Sequence, residues 1–250
     1  MLLGKHITIV LPAYNAERTL ANTLAEVSRE VVDRIILVDD CSGDRTAELA
    51  EVLGVDQLVV HSKNLGYGGN QKTCYAEALK AETDIIIMLH PDYQYSPRLI
   101  PVMAAMIASG EYDLVLGSRI ISKSALKGGM PIYKYISNRI LTFFENIMLG
   151  LKLSEYHTGY RGYSKSLLSS LSFENYSDNF IFDNQLVVQA HALGARIGEI
   201  SCPSKYFPEA SSISFVSSVK YGVGVLVTAC QYILFSVGLY EAKFLRRKNV

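Results

Sequence analysis

The chain has 250 residues, 49% of them hydrophobic, and its 24 lysines and arginines balance 24 aspartates and glutamates. That length holds one large domain, or one domain with an appendage, and allows a sizeable core. Zero formal net charge excludes a global field that would recruit nucleic acid or another polyanion, and the four cysteines, none in a CxxC pair, read with the absence of a recognisable signal peptide as reduced thiols of a cytosolic protein.

In chain order, residues 6–11 form a short β-rich run, and residues 18–31 show helical spacing with Leu20, Leu24 and Val27 along one side. A buried strand is predicted at 35–38, a helix at 44–53, a strand at 58–60, a helix at 72–80 and a strand at 84–89. Ser96-Pro97 predicts an N-cap with proline at the first helical position, opening a helix toward Ser109, and a strand follows at 112–116. Repeated β-α-β units of this kind predict an α/β protein with a Rossmann-like, mostly parallel sheet flanked by helices. Its ligands belong at the carboxyl edge of the strands.

The second half differs. Residues 122–131 read as a Gly/Ser/Lys loop long enough to be a mobile lid. Helices follow at 133–149 and 183–193, with a strand at 197–202. Residues 223–240, "VGVLVTACQYILFSVGLY", carry no charge and are flanked by Lys220 and by Lys243 and Arg246-Arg247-Lys248. A membrane span needs roughly 17–25 apolar residues, so this stretch is near the minimum. Thr228, Gln231 and Ser236 favour instead a helix that is buried or lies on an anionic membrane, and an oligomerisation helix is the alternative.

Four predicted strand ends carry unusual polar residues. "LPAYNAE" (11–17) is the first, and "VDDCSGD" (38–44) is the second. Adjacent strand residues point to opposite faces, so only one of Asp39 and Asp40 need face a ligand, where a carboxylate accepts from a base N–H or a ribose hydroxyl. Helix capping is the other reading of that pair. "NLGYGGNQK" (64–72) offers backbone N–H groups to a diphosphate, without the Walker spacing. In "MLHPDYQY" (88–95) an extended chain turns His90, Asp92 and Gln94 to one side and Tyr93 and Tyr95 to the other.

Together and in this order, these segments resemble the family-2 glycosyltransferases of the GT-A fold over residues 6 to about 205, most of all the dolichyl- or polyprenyl-phosphate sugar synthases. The resemblance rests on Pro12-Ala13-Tyr14-Asn15, Val38-Asp39-Asp40-Cys41-Ser42 with Asp44 and Thr46, the glycine run, Asp92 with Gln94, Gly117-Ser118-Arg119 and Thr158-Gly159-Tyr160-Arg161. It implies a catalytic domain at 1–210, a membrane-associating or oligomerising segment at 211–250, and inverting transfer from a UDP- or GDP-sugar to a polyprenyl phosphate. The enzyme is then expected on the cytoplasmic face of a membrane, a homo-oligomer being open.

By the same resemblance, Pro12, Tyr14, Asn15, Glu17, Asp39, Asp40, Gly66, Gly68 and Lys72 attend the nucleotide. A divalent cation, Mg²⁺ or Mn²⁺, sits at Asp92 and Gln94, with His90 where these synthases often carry Asp. Imidazole suits softer metals than a carboxylate does, so the site is either a weakened, substrate-dependent metal site or one in which His90 only hydrogen-bonds backbone. A second departure is Ala16, which stands where the synthases often carry Glu.

Arg119, Lys134, Asn138 and Arg161 are the expected phosphate-holding groups, and Asp92, Arg119 and Asp183 the expected catalytic ones. Asp183 reads as the base for a hydroxyl acceptor or as a helix cap. His157 reads as a diphosphate contact or a structural residue. Transfer to a hydroxyl of a glycan or glycolipid, and sugar-nucleotide binding without turnover, are the alternative functions.

Overall fold

The structure, a computed structural model, describes residues 1–122, 124–206 and 215–245. Its strands are β1 (Ile7–Ala13), β2 (Arg34–Asp39), β3 (Gln57–Val60), β4 (Ile85–Met88), β5 (Leu114–Ser118), β6 (Arg161–Ser164) and β7 (Ile197–Ser201). They form one sheet in the order β3-β2-β1-β4-β6-β5-β7. β1 pairs in parallel with β2 and β4, β2 with β3, and β5 with β7. The central strands are nearly continuous apolar runs because helices cover both sheet faces.

The helices are α1 (Leu20–Ala25), α2 (Thr46–Val52), α3 (Gly66–Lys80), α4 (Ile100–Ala108), α5 (Ser124–Lys127), α6 (Ile132–Leu149), α7 (Lys165–Ser170), α8 (Phe182–Ala192) and α9 (Phe215–Ser236). The sheet is mostly parallel, as the sequence predicts. The exception is β6, which runs antiparallel to both β4 and β5. Its sequence, RGYS, has no apolar run to announce it. Gly162 is needed there, since a Cβ would lie 2.9 Å from the Ile107 side chain of α4.

Several boundaries differ from expectation. The helix expected at 18–31 is only α1, and the chain then turns so that Val27 and Val32 are buried. The Ser96 side chain makes no cap bond, and a 3₁₀ turn at Pro97–Leu99 leads into α4. α3 starts at Gly66 rather than 72 and so takes in the glycine run. The loop at 122–131 holds α5, whose Ala125 packs with Ile120 and Met130 against Tyr135 and Tyr206. That part of the expected lid is seated on the body of the protein.

α9 packs on α6 and α8, with Val225, Ala229 and Phe235 buried. Residues Ser217–Ser236 are long and apolar enough to cross a membrane by length and composition, and only 17% of that stretch is buried. The outward faces of α6 and α9 are apolar and exposed, through Ile132, Ile136, Phe143 and Ile147 on one and Val219 and Val223 on the other. The boundary at 210/211 and the basic run Arg246-Arg247-Lys248 lie outside the described residues.

Candidate active site

Two cavities open side by side. An edge cavity of about 450 Å³ lies beyond the carboxyl ends of β1, β2 and β4, where a doubly wound sheet places its ligands. A helical cavity of about 420 Å³ lies between α6, α8 and α9. They share a wall made of Tyr67, Gln94, Arg119, His157 and Phe180.

Of the expected nucleotide residues, Pro12, Tyr14, Asn15, Asp40 and Gly66 line the edge cavity. Asn15 holds a left-handed φ of 50°, and its Oδ1 accepts from Gly43 N–H at 2.9 Å, tying the end of β1 to the turn after β2. Tyr14 is half exposed over the opening. Glu17, Asp39, Gly68 and Lys72 are off the wall. Glu17 pairs with Arg45 instead.

Both aspartates of "VDD" accept from backbone N–H groups, but only Asp40 does so at a helix start, as in the capping alternative. Asp39 accepts the Ser42 N–H and hydroxyl. Asp40 takes the Leu65 N–H at 2.8 Å and the Gly66 N–H at 3.0 Å, capping α3, and lies 2.7 Å from His61 Nδ1.

The glycine run is not a free phosphate cradle. Gly68 N–H donates to the Asp178 carbonyl at 2.7 Å, and a Cβ on Gly68 would lie 2.3 Å from the Ser177 carbonyl oxygen. These glycines let α3 approach the segment before α8. Lys72 belongs to the same contact, donating at 2.6 Å to the Tyr176 carbonyl and to Asp178.

"HPDYQY" is a turn rather than an extended strand. Tyr93 has φ 57°, and Asp92 Oδ1 accepts the Gln94 N–H at 3.0 Å. His90, Asp92 and Gln94 still share the edge cavity, and Tyr95, expected on the other side, joins them. Tyr93 points away and donates to Glu26 at 2.6 Å. Among the described residues no three His, Cys, Asp or Glu side chains converge as a metal site. A cation here needs oxygen donors from a ligand as well.

Tyr67, which the sequence reading did not single out, joins the two cavities. Its hydroxyl donates to Asp183 Oδ2 at 2.7 Å and lies 3.1 Å from His90 Nε2, with the two rings nearly parallel. Asp183 is in the first turn of α8 but makes no cap bond, so the cap reading is corrected. Its Oδ1 is buried without a hydrogen-bond partner and faces the Arg161 guanidinium at 3.9 Å.

In the helical cavity Arg119 leaves the end of β5 and forks onto fully buried Glu155, donating also to Tyr206 Oη and the His157 carbonyl, each at 2.8 Å. Burial pushes the Glu155 carboxyl up, but the Arg119 charge and hydrogen bonds outweigh it and hold it below the usual carboxylate range. Asn138 lines the cavity, yet its amide donates to Glu155 at 2.8 Å. Lys134 has no carboxylate partner among the described residues, and burial and then Arg119 lower its pKa.

Arg161 does not reach the cavity. It is fully buried and donates to the carbonyls of Thr158, Tyr156 and Asp183, so its role is to hold the chain, not a phosphate. His157 is likewise buried, 2.8 Å from Tyr221 Oη through Nδ1 and 3.4 Å from Glu145 Oε2 through Nε2.

Burial pushes the Glu145 carboxyl up to about 8 and the His157 imidazole down to about 4. A raised carboxyl contributes stability that is complete below its unfolded value of 4.5 and is lost as pH rises through about 8. Glu145→Gln is therefore expected to melt with the parent at about pH 4 and above it at about pH 9, by thermal denaturation. Parallel curves would remove Glu145 as the source.

Known proteins share this layout. The profile described as glycosyl transferase family 2 matches residues 8–172. A UDP-N-acetylglucosamine–dolichyl-phosphate N-acetylglucosaminyltransferase of Methanococcus voltae is 27% identical, over 82% of this chain and 88% of its own length. A low-salt glycan biosynthesis hexosyltransferase of Haloferax volcanii is 29% identical over 93% of this chain and 56% of its own. Glucosyl-3-phosphoglycerate synthase from Mycobacterium tuberculosis, solved with Mn²⁺, UDP and glucosyl-3-phosphoglycerate, superposes with a TM-score of 0.67 at 18% identity, over 96% of this chain and 82% of that one. That likeness is one of fold, the GT-A fold. The family profile spans well over half of the chain, including β1 to β6 and the edge cavity they support, and the protein belongs to glycosyl transferase family 2.

Proposed function

We propose that the protein transfers a sugar, with inversion, from a nucleoside diphosphate sugar in the edge cavity to a polyprenyl phosphate in the helical cavity. The observation that carries the acceptor is Lys134, without a carboxylate partner among the described residues, beside the Glu155-paired Arg119 in a cavity between helices whose outer faces are apolar. A phosphate monoester, with second pKa about 6, is largely ionised at neutral pH and needs cationic clamps rather than a base. The M. voltae relative, named for a dolichyl phosphate acceptor, supports the same choice.

One phosphate oxygen of the acceptor attacks the anomeric carbon as the carbon–oxygen bond to the donor diphosphate breaks. The nucleoside diphosphate leaves with that electron pair. Asp92, Gln94 and His90 are the residues to hold a divalent cation jointly with the donor diphosphate, which suits Mg²⁺ or Mn²⁺ because these ions commonly take one or two carboxylates plus substrate phosphates. Such a cation, when bound, neutralises charge on the leaving diphosphate. The Mn²⁺ and UDP in the mycobacterial neighbour support that reading.

The apolar faces of α6 and α9 would rest on the cytoplasmic surface of a membrane, delivering the lipid tail beside the cavity mouth. Sugar nucleotide labelled in the sugar, incubated with a polyprenyl phosphate, should yield organic-extractable label that mild acid releases. Lys134→Ala is expected to raise KM for the lipid phosphate about tenfold with little change in kcat. The parent's KM should climb in the alkaline range, at lower pH than an ordinary lysine would dictate, because the Lys134 pKa is lowered.

One observation favours a second reading. Asp183 lines the same cavity, and its carboxylate, held by the Tyr67 hydroxyl and facing the Arg161 guanidinium at 3.9 Å, is a group on that wall that could take a proton from a hydroxyl acceptor. Label that resists mild acid and stays on a glycan or glycolipid would select it, and donor binding without turnover on any acceptor would sink both.

A further inference from the structure

His90 and Asp183 sit on different cavities, and the Tyr67 hydroxyl is the atom between them. An ionised carboxylate only accepts hydrogen bonds, and a phenol has a single proton. The Tyr67 proton therefore goes to Asp183 Oδ2, which leaves the Tyr67 oxygen as acceptor. A neutral His90 must then carry its proton on Nε2, and Nδ1 keeps its lone pair.

The ring is also fixed in place. A Cβ on Gly159 would lie 2.4 Å from His90 Nε2 and 2.7 Å from Cδ2, so that edge of the imidazole is pressed against the backbone. Nδ1 is the atom opposite the Nε2–Cδ2 bond, and no hydrogen bond to it is formed among the described residues.

We propose that Tyr67 is a positioning residue that locks His90 in the Nε2–H tautomer and leaves the Nδ1 lone pair on the edge-cavity side, as a donor atom for a cation held with a nucleoside diphosphate. The imidazole thereby replaces a carboxylate as ligand, with the carboxylate of Asp183 acting on it through Tyr67. Groups that orient a ligating histidine in this way are worth about 10–100-fold in metal affinity. The cation part rests on the donor reading given above; the tautomer part does not.

The test uses the full chain, metal-free, with ¹⁵N-labelled histidine at about pH 8, above the ordinary histidine range. His90→Gln identifies the His90 signals among the five histidines. The parent should show a protonated Nε2 and an unprotonated Nδ1. Tyr67→Phe keeps the aromatic ring and removes only the hydroxyl, and it should lose that fixed pattern. In the presence of UDP, Mn²⁺ binding followed by electron paramagnetic resonance should weaken about 10–100-fold in Tyr67→Phe.

An unaltered tautomer, or unaltered Mn²⁺ affinity, in Tyr67→Phe overturns the proposal. Failure of Mn²⁺ to bind the parent with UDP overturns its cation part together with the cation reading of the donor site, and the histidine spectra still decide the tautomer. A failure of lipid-phosphate transfer touches neither measurement.

Discussion

Asp92→Asn is expected to lower kcat/KM for sugar transfer by about 10²–10³-fold, the size of effect seen when one preorganised electrostatic contact to developing charge is removed. The substitution isolates charge from structure. Asparagine keeps the Oδ1 that accepts the Gln94 N–H, so the turn carrying His90 and Gln94 should survive. Asp92 also forms no ion pair with another described residue, so its removal strands no buried cation. Steady-state kinetics across a Mn²⁺ titration, with circular dichroism as the folding control, would read the effect. Parent activity that persists in EDTA would remove the cation from the reaction and leave Asp92 with a purely local role.

The second large effect is on stability. Arg119→Ala is expected to destabilise the protein by about 3–5 kcal/mol, because it leaves a buried carboxylate without its counter-charge. Glu155 is fully buried and accepts from Arg119 through both side-chain and backbone donors. What remains after the substitution is the backbone N–H at position 119 and the Asn138 amide, both short of a full guanidinium. Urea denaturation would measure the loss. Adding Glu155→Gln should recover much of it, since the stranded charge is then gone. A loss below about 1 kcal/mol would mean that backbone and Asn138 donors suffice for Glu155. Since Arg119 also lines both cavities, its activity loss must be read against the recovered double variant.

Much of the site was legible from local pattern. Pro12 lies near the end of an apolar strand and Tyr14 and Asn15 follow it, and chain direction alone then puts them at the carboxyl edge. Asp92 and Gln94 were readable for the same reason, although a turn at Tyr93, not strand alternation, brings them to one wall. Lys134 and Asn138 are four apart on one helix, and a helix places such residues on one face.

Other assignments failed where a polar group is consumed by a distant partner. Lys72 and the Gly68 N–H were free donors on paper, but both are spent on the Tyr176 to Asp178 segment, about a hundred residues away. Arg161 looked like a phosphate clamp and is instead walled in by three carbonyls. Tyr67 sat unnoticed in a glycine run, because nothing within that run indicates Asp183, 116 positions later.

The sequence by itself determined the alternation of strands and helices, the parallel core of the sheet and the edge at which ligands belong. These follow from hydrophobic periodicity and chain direction, which are properties of neighbours along the chain. The antiparallel insertion of β6, the capping role of Asp40 and the Tyr67 junction between the cavities were decided only in the tertiary structure. Each depends on which buried donor meets which acceptor once the elements pack, and burial leaves no water to take the place of a missing partner.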